Sequence, residues 1–232
     1  MKKILVIAPH PDDEILGCGG TIIKNIAEGN EVYICIVTKG FPPLFNPERT
    51  SKNQQDARDC HAHLGIKKTF FLDYPAAMLE KVERHEMNGK FLQVIQEVQP
   101  DEVFIPHWGD MQRDHQIVAD AAMVALRPKY HPQVKRIYGY ETMSETGWNA
   151  PNMQNEFIPN VYVDISDNLE KKKEALSFFT LQVSSFPDAR SLEAIEALAR
   201  YRGALMDMKA AEAFMLIREI ISISEYDGFI RR

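Results

Sequence analysis

The sequence alternates short apolar runs with longer amphipathic segments, and this alternation restricts the fold more than any other feature. A short apolar run is typical of a buried strand, whereas apolar residues three and four positions apart are typical of a helix. Strands that alternate with helices predict an α/β fold built on a parallel sheet. We predict strands at 3–8, 31–38, 68–72, 102–106, 134–140 and 161–165. We predict helices near 15–28, 50–64, 84–98, 114–126, 168–180 and 190–222, the last interrupted around 201–203.

The length and charge of the chain exclude several classes of protein. A chain of 232 residues can form one well-packed core, so a single domain over 1–232 is expected. The net charge of −6 argues against a nucleic-acid-binding protein, which usually presents a basic face. The sequence contains no apolar run long enough for a transmembrane helix. The apolar N-terminal run ends at once in Pro9-His10-Pro11, which is unlike a signal peptide.

The three cysteines, Cys18, Cys35 and Cys60, lie far apart in the sequence. An odd number of scattered cysteines fits a reducing compartment better than a disulfide framework, so a cytoplasmic location is expected. They do not have zinc-finger spacing. Any metal in this protein is therefore expected to be bound by histidine and carboxylate side chains.

The first predicted strand leads directly into His10-Pro11-Asp12-Asp13-Glu14, and a predicted helix follows. Ligands of open α/β sheets bind beyond the carboxyl ends of the strands. Zinc prefers histidine nitrogen and carboxylate oxygen, so His10 and Asp13 are candidate ligands that leave Asp12 free to act as a general base. The alternative is that the acidic residues only cap the helix, where carboxylates favour the positive end of the helix dipole. The position after the first strand favours the metal site.

A second cluster of the same kind follows the predicted strand 102–106 and leads into the next predicted helix. Its side chains are expected at the same edge of the sheet as the first cluster. His115 is a candidate third ligand and His107 is a competing one, and spacing alone leaves the choice open. The remaining histidines have no acidic partner at ligand spacing and are expected to be surface or structural residues: His61, His63, His85 and His131.

Gly17, Gly19 and Gly20 match part of a dinucleotide-binding fingerprint but do not complete it. The fingerprint needs a glycine where this chain has Ile22, and the two preceding aspartates would repel a pyrophosphate. We interpret these glycines instead as small residues that let the first helix approach the sheet closely.

Two long connections, 39–49 and 141–160, are candidate binding loops, although plain surface connections explain them equally well. Their aromatic side chains, together with one in the second cluster, could stack on a ligand or serve only local packing. These side chains are Phe41, Phe45, Trp108 and Trp148.

The sequence Pro9-His10-Pro11-Asp12-Asp13-Glu14, followed by Leu-Gly-Cys-Gly-Gly-Thr-Ile at 16–22, resembles the signature of the LmbE-like, or PIG-L, family of zinc-dependent N-deacetylases. The resemblance implies a Rossmann-like three-layer sandwich with a mostly parallel central sheet. It extends to Leu64-Gly65, 110–115, Val163-Asp164-Ile165 with Lys172, Gln182, Arg202-Gly203 and 211–214.

The resemblance also implies roles for individual residues. His10, Asp13 and His115 match the ligands of Zn²⁺, which decides between the two candidate third ligands, and Asp12 matches the general base. Asp114 matches a carboxylate that orients its neighbours. The implied reaction removes the N-acetyl group from an N-acetylglucosamine-type sugar or sugar conjugate, with Asp12 taking the proton of a metal-activated water. Family members are often homo-oligomers, and the sequence leaves the oligomeric state open.

Gln112 departs from the family pattern, because relatives commonly have histidine at that position. A glutamine amide can donate a hydrogen bond to an oxyanion, but it cannot carry a proton or a positive charge. The substrate-binding arginine that relatives often have around the second helix is also unassigned, with Arg49 and Arg58 as candidates. Two alternatives follow: an amidase acting on a different sugar or thiol conjugate, and a metal- or sugar-binding protein without activity. Gln112 favours the binding protein, whereas the intact Asp12 argues against it.

Overall fold

The first strand, β1 (Lys3–Ala8), lies in the interior of the sheet because its side chains are apolar on both faces. In the computed structural model, which describes residues 1–221, Leu5 and Ile7 face one hydrophobic core. Ile4 and Val6 face a second core on the other side of the sheet. Helices cover both cores, so the predicted three-layer α/β sandwich is confirmed.

Six further strands and six helices make up the described part of the chain. The strands are β2 (Glu31–Lys39), β3 (Lys68–Pro75), β4 (Glu102–Pro106), β5 (Arg136–Tyr140), β6 (Val161–Asp164) and β7 (Ala211–Glu219). The helices are α1 (Asp13–Ala27), α2 (Pro47–Leu64), α3 (Arg84–Val98), α4 (Arg113–Ala125), α5 (Leu169–Ser177) and α6 (Leu192–Ala204), with a short 3₁₀ turn at Leu79–Lys81. One face of the sheet is covered by α3 and α4, and the other by α1, α2, α5 and α6.

The strand order is β3-β2-β1-β4-β5-β7-β6, and the first five strands are parallel. The chain crosses from one side of β1 to the other after β3, so β1 and β4 are neighbours at the point where the strand order reverses. The crevice beyond the carboxyl ends of two such strands is where open α/β sheets bind ligands. Both motif clusters follow these two strands.

The prediction of a helix over 190–222 is wrong beyond Ala204. Residues Ala211–Glu219 form β7, which is antiparallel to both β5 and β6. Alanine, glutamate, methionine and leucine are good helix formers, so local preference points to a helix. Pairing with a strand on each side outweighs that preference. Residue 222, the last of the predicted helix, lies outside the described residues.

Helix α2 begins three residues earlier than the sequence indicates. Asn46 Oδ1 accepts hydrogen bonds from the backbone amides of Glu48 and Arg49, and Pro47 occupies the first helical position. Asparagine before proline is a strong helix start. The predicted loop 39–49 is therefore shorter than expected.

The interpretation of the glycines in α1 is confirmed for Gly17, whereas Gly19 faces Lys172 of α5 and Gly20 faces Ile165, the residue after β6. A Cβ atom at Gly17 would overlap the ring of Tyr140 in β5, and one at Gly20 would lie 2.7 Å from Ile165 Cγ2. A second contact also ties this helix to the sheet. Glu212 of β7 accepts the amides of Gly20 and Thr21 at 2.8 and 2.7 Å and pairs with the buried Lys172.

Within the part of the chain that the structure describes, no helix combines the length and the apolar character needed to cross a membrane.

Candidate metal centre and active site

The reversal of strand order between β1 and β4 brings the two clusters together. His10 and Asp12 lie in the turn after β1, and Asp13 begins α1. His115 lies in the first turn of α4, which follows β4. Residues about 100 positions apart in sequence therefore face one another across the sheet edge, as His10 Nε2 and Asp114 Oδ2 do at 3.1 Å.

His10, Asp13 and His115 form a cluster that fits one metal ion. His10 Nδ1 lies 3.1 Å from Asp13 Oδ2, and His115 Nε2 lies 3.2 Å from the same oxygen. All three ligand atoms lie within 4.8 Å of one another. Two ligands of a tetrahedral zinc ion, each about 2.0–2.1 Å from the metal, are separated by roughly 3.3 Å. The donor types and their spacing therefore suit zinc.

Each histidine of the cluster is held through its other ring nitrogen by a carboxylate. Asp114 Oδ2 lies 3.1 Å from His10 Nε2 and accepts the Ala77 amide at 2.6 Å. Asp110 Oδ2 lies 2.8 Å from His115 Nδ1. Carboxylates in this position fix the ring orientation and leave the inner nitrogen available to a metal. Our sequence prediction included Asp114 but missed the equivalent role of Asp110.

The pKa of each of the three residues of the cluster is changed by the charge of at least one of the others. Burial by itself would lower the pKa of His10, but hydrogen bonds to Asp114 and Asp13 outweigh it and raise that pKa to about 9. Burial also opposes the protonation of His115, whose pKa is raised to about 10 by the charge of Asp13 and the bond to Asp110. For Asp13, burial is outweighed by the two histidines, which hold its pKa well below the usual range. The carboxylates of Asp13, Asp110 and Asp114 therefore favour positive charge at the two histidines of the cluster.

Asp12 stands apart from these paired groups. It precedes α1 with a φ of 116°, which residues other than glycine rarely adopt, and its side chain makes no capping hydrogen bond. Its carboxylate is buried, and neither oxygen has a hydrogen-bond partner among residues 1–221. The cap alternative therefore fails for Asp12. Backbone strain of this kind is common at functional sites.

Burial raises the pKa of Asp12 to about 8, against the lowering effect of Arg190. Arg190 Nη1 lies 3.5 Å from Asp12 Oδ2, and the guanidinium also contacts Gln182 Oε1 and Ser144 Oγ at 3.2 Å each. Sequence analysis missed this arginine because no motif surrounds it. Arg49 and Arg58, the candidates for a substrate-binding arginine, are exposed on α2. Neither lines the cavity that opens beside Asp12 and His10.

His61 is a structural residue, as expected, but it does have an acidic partner. Its Nε2 lies 2.9 Å from Glu14 Oε1, and its Nδ1 lies 2.8 Å from Thr69 Oγ1. The other oxygen of Glu14 accepts the backbone amide of Asp12 at 3.2 Å. Glu14 and His61 are 47 positions apart, so sequence spacing could not reveal the pair.

His107 lies outside the metal cluster. It is buried, its Nε2 lies 3.0 Å from the Asn155 carbonyl oxygen, and its ring packs against Trp108 and Phe157. The structure places His115, and not His107, beside His10 and Asp13.

A cavity of about 220 Å³ opens beside Asp12 and His10. Amide and hydroxyl side chains make up much of its wall, including Thr50, Asn53, Gln112 and Gln182. Gln112 Nε2 lies 3.2 Å from His10 Nε2, and Gln112 Oε1 has no partner within residues 1–221. Exchanging the two ends of this amide would turn its oxygen to the histidine N–H. Of the aromatic candidates, Phe45 lines the cavity, whereas Phe41, Trp108 and Trp148 do not.

Comparisons with known proteins identify the family of the chain. Residues 5–126, from β1 to the end of α4, match the family model PIG-L, described as GlcNAc-PI de-N-acetylase. The chain belongs to the PIG-L family. The PIG-L match spans both motif clusters, so the predicted family is confirmed.

Individual PIG-L relatives resemble the chain over most of its length. Diacetylchitobiose deacetylase from Thermococcus kodakarensis is 27% identical over 196 residues, which cover 81% of this chain and 72% of that protein. The crystal structure of the conserved protein TT1542 from Thermus thermophilus matches with a TM-score of 0.76 at 28% identity, covering 96% of this chain and 98% of the other. N,N'-diacetylchitobiose deacetylase from Pyrococcus horikoshii matches with a TM-score of 0.73 at 26% identity, covering 94% and 84%.

Proposed function

We propose that this protein is a zinc-dependent hydrolase that removes the N-acetyl group from an N-acetylglucosamine-type sugar or sugar conjugate. The observation that carries the proposal is the position of Asp12. A buried carboxylate without a hydrogen-bond partner among residues 1–221 lies next to a cluster with the donor set and spacing of a zinc site. Asp12 and one member of the cluster, His10, line the same cavity.

His10, Asp13 and His115 are the residues that would hold the metal. Asp13 Oδ1 and His115 Nε2 are buried and have no hydrogen-bond partner in residues 1–221, as expected of atoms that serve a cation. Zinc in such a site supplies a Lewis acid that polarises the amide carbonyl and lowers the pKa of water to about 7.

The protein's own side chains then account for the proton movements. The Asp12 carboxylate accepts the proton of the attacking water and returns it to the departing amine nitrogen. Arg190 favours the ionised form of that carboxylate. The side chain of Gln112 lies beside His10 and lines the cavity, and we assign to its NH₂ a hydrogen bond to the developing oxyanion.

The cavity supports a sugar-sized substrate. Its volume of about 220 Å³ is below the roughly 300–1,000 Å³ of sites that enclose drug-sized ligands, so one sugar-sized group fits and the rest of a conjugate stays outside. Neutral amides and hydroxyls such as those of Asn53 and Gln182 suit hydroxyl recognition. The names of two relatives, both diacetylchitobiose deacetylases, point to the same substrate class.

The test combines the zinc content of the full chain with acetate release from a panel of N-acetylated compounds. The panel contains N-acetylglucosamine, its glycosides, diacetylchitobiose, a nucleotide-linked sugar and a thiol-bearing sugar conjugate. Release from the thiol conjugate alone would favour the amidase alternative. Bound zinc with no release from any compound would favour a binding protein.

Asp12→Asn tests the mechanism, because asparagine keeps the side-chain shape and tolerates a positive φ. We expect normal zinc binding and a loss of about 10²- to 10⁴-fold in the rate of acetate release, the usual contribution of a general base. Asp207→Asn is the matched control, since Asp207 is an exposed aspartate that also has a positive φ of 57°. Full activity of Asp12→Asn would overturn the proposed role of Asp12.

A further inference from the structure

The carboxylate behind His115 has both of its oxygens engaged. Asp110 is completely buried, and its Oδ2 lies 2.8 Å from His115 Nδ1. Its Oδ1 accepts a hydrogen bond of 2.6 Å from the hydroxyl of Thr146. Thr146 lies on the loop that joins β5 to β6, 36 positions away from Asp110.

A tight turn fixes the direction of the Thr146 hydroxyl. The backbone amide of Thr142 donates to Thr146 Oγ1 at 2.9 Å, and the amide of Thr146 donates to the Thr142 carbonyl at 2.7 Å. Because an amide N–H can only donate, the hydroxyl oxygen accepts there, and its own hydrogen is left for the Asp110 carboxylate. The Met111 amide also donates to the Glu145 carbonyl at 3.2 Å, which joins this turn to the segment that carries Asp110.

These bonds set the orientation and tautomer of His115. Asp110 accepts from Thr146 on one oxygen, so its other oxygen is directed at His115 Nδ1. A carboxylate at that nitrogen holds a ring hydrogen there. When the ring is neutral, as a metal ligand must be, the lone pair is therefore on Nε2, the nitrogen that lies 3.2 Å from Asp13.

We propose that Thr146 is a positioning residue for the metal centre, acting through Asp110 on His115. The inference rests on the proposed function in that it takes His115 as a zinc ligand. On the His10 side, the Ala77 amide donates to Asp114 Oδ2, but Asp114 Oδ1 has no hydrogen-bond partner in the described residues, so no hydroxyl plays the part of Thr146 there. The same turn also contacts the other side of the active site, since Ser144 Oγ accepts a bond from Arg190 beside Asp12. The loop that carries Thr146 therefore contacts both the carboxylate behind His115 and the arginine beside Asp12.

The experiment compares three variants of the full chain: Thr146→Val, Thr146→Ser and Thr142→Val. Thr142 is the matched control, because it lies in the same turn, is completely buried, and has a hydroxyl without a partner among residues 1–221. Zinc affinity is measured by competition with a chelator at fixed pH, and the melting temperature is recorded for each protein without zinc. The values of kcat and KM for acetate release are measured separately.

We expect Thr146→Val to weaken zinc binding by about tenfold, the lower end of the effect of groups that support a metal ligand. Thr146→Ser should restore it, and Thr142→Val should bind zinc like the unsubstituted chain. In acetate release at saturating zinc, kcat should fall for Thr146→Val while KM changes little.

Three results would overturn the inference: wild-type zinc affinity in Thr146→Val, equal weakening in Thr142→Val, or failure of Thr146→Ser to restore binding. Failure of the proposed function gives a different pattern. No protein would then release acetate, while Thr146→Val alone would still lose zinc affinity.

Discussion

The two histidines of the metal cluster are held by the same chemistry in different surroundings. His10 is backed by Asp114 and His115 by Asp110, each through the ring nitrogen that faces away from the cluster. The side chain of His10 is 16% exposed and lines the cavity, whereas that of His115 is 1% exposed. His10 is therefore accessible from the cavity, whereas His115 is enclosed. In the proposed metal site, His10 would therefore face the substrate, and His115 would hold the metal from the buried side.

Asp13 contacts both His10 and His115, so its removal should have the largest effect on zinc affinity. Asp13→Ala takes away the oxygen that lies 3.1 Å from His10 Nδ1 and 3.2 Å from His115 Nε2. We expect zinc affinity to fall by more than about 100-fold, beyond the usual effect of losing a supporting group. Chelator competition measures the affinity, and a circular dichroism spectrum checks the fold. Retention of zinc by a folded Asp13→Ala protein would contradict the assigned ligand set.

Removing Asp110 should weaken zinc binding more than removing Asp114, the carboxylate behind the other histidine. Asp110→Ala leaves His115 Nδ1 without a partner in a buried site, and we expect a loss of about 100-fold in zinc affinity. Asp114→Ala leaves His10 Nε2 near the cavity, where water can take the place of the carboxylate, and we expect a loss of about tenfold. The same chelator competition compares both variants. Equal losses, or a larger loss for Asp114→Ala, would remove the distinction between an anchoring and a substrate-facing histidine.

Substitution of Gln112, which contacts His10, should lower the rate of acetate release but leave zinc affinity nearly unchanged. Gln112→Ala removes an amide that contacts His10 but is not part of the ligand set, so zinc affinity should change by less than about threefold. The rate of acetate release should fall by about 10²-fold if the amide donates to the oxyanion. Measuring kcat at saturating zinc distinguishes the two effects. An unchanged kcat would assign Gln112 to packing alone.

Much of the fold could be predicted because its signals are local. The six strands β1 to β6 are short apolar runs, and all six helices show apolar residues at helical spacing or a recognisable start or stop. The exception is β7, whose residues prefer a helix and become a strand only because β5 and β6 offer hydrogen bonds on both sides.

The candidate site divides in the same way. His10, Asp12 and Asp13 lie within a single turn, and Asp114 and His115 are adjacent, so the sequence alone identified the two clusters. Spacing left the choice between His115 and His107 open, and the resemblance to the family favoured His115. Contacts between distant segments were decided only by the tertiary structure. Thr146 reaches Asp110, Arg190 reaches Asp12 and His61 reaches Glu14 because sheet pairing and helix packing bring these segments side by side, and no local pattern records that.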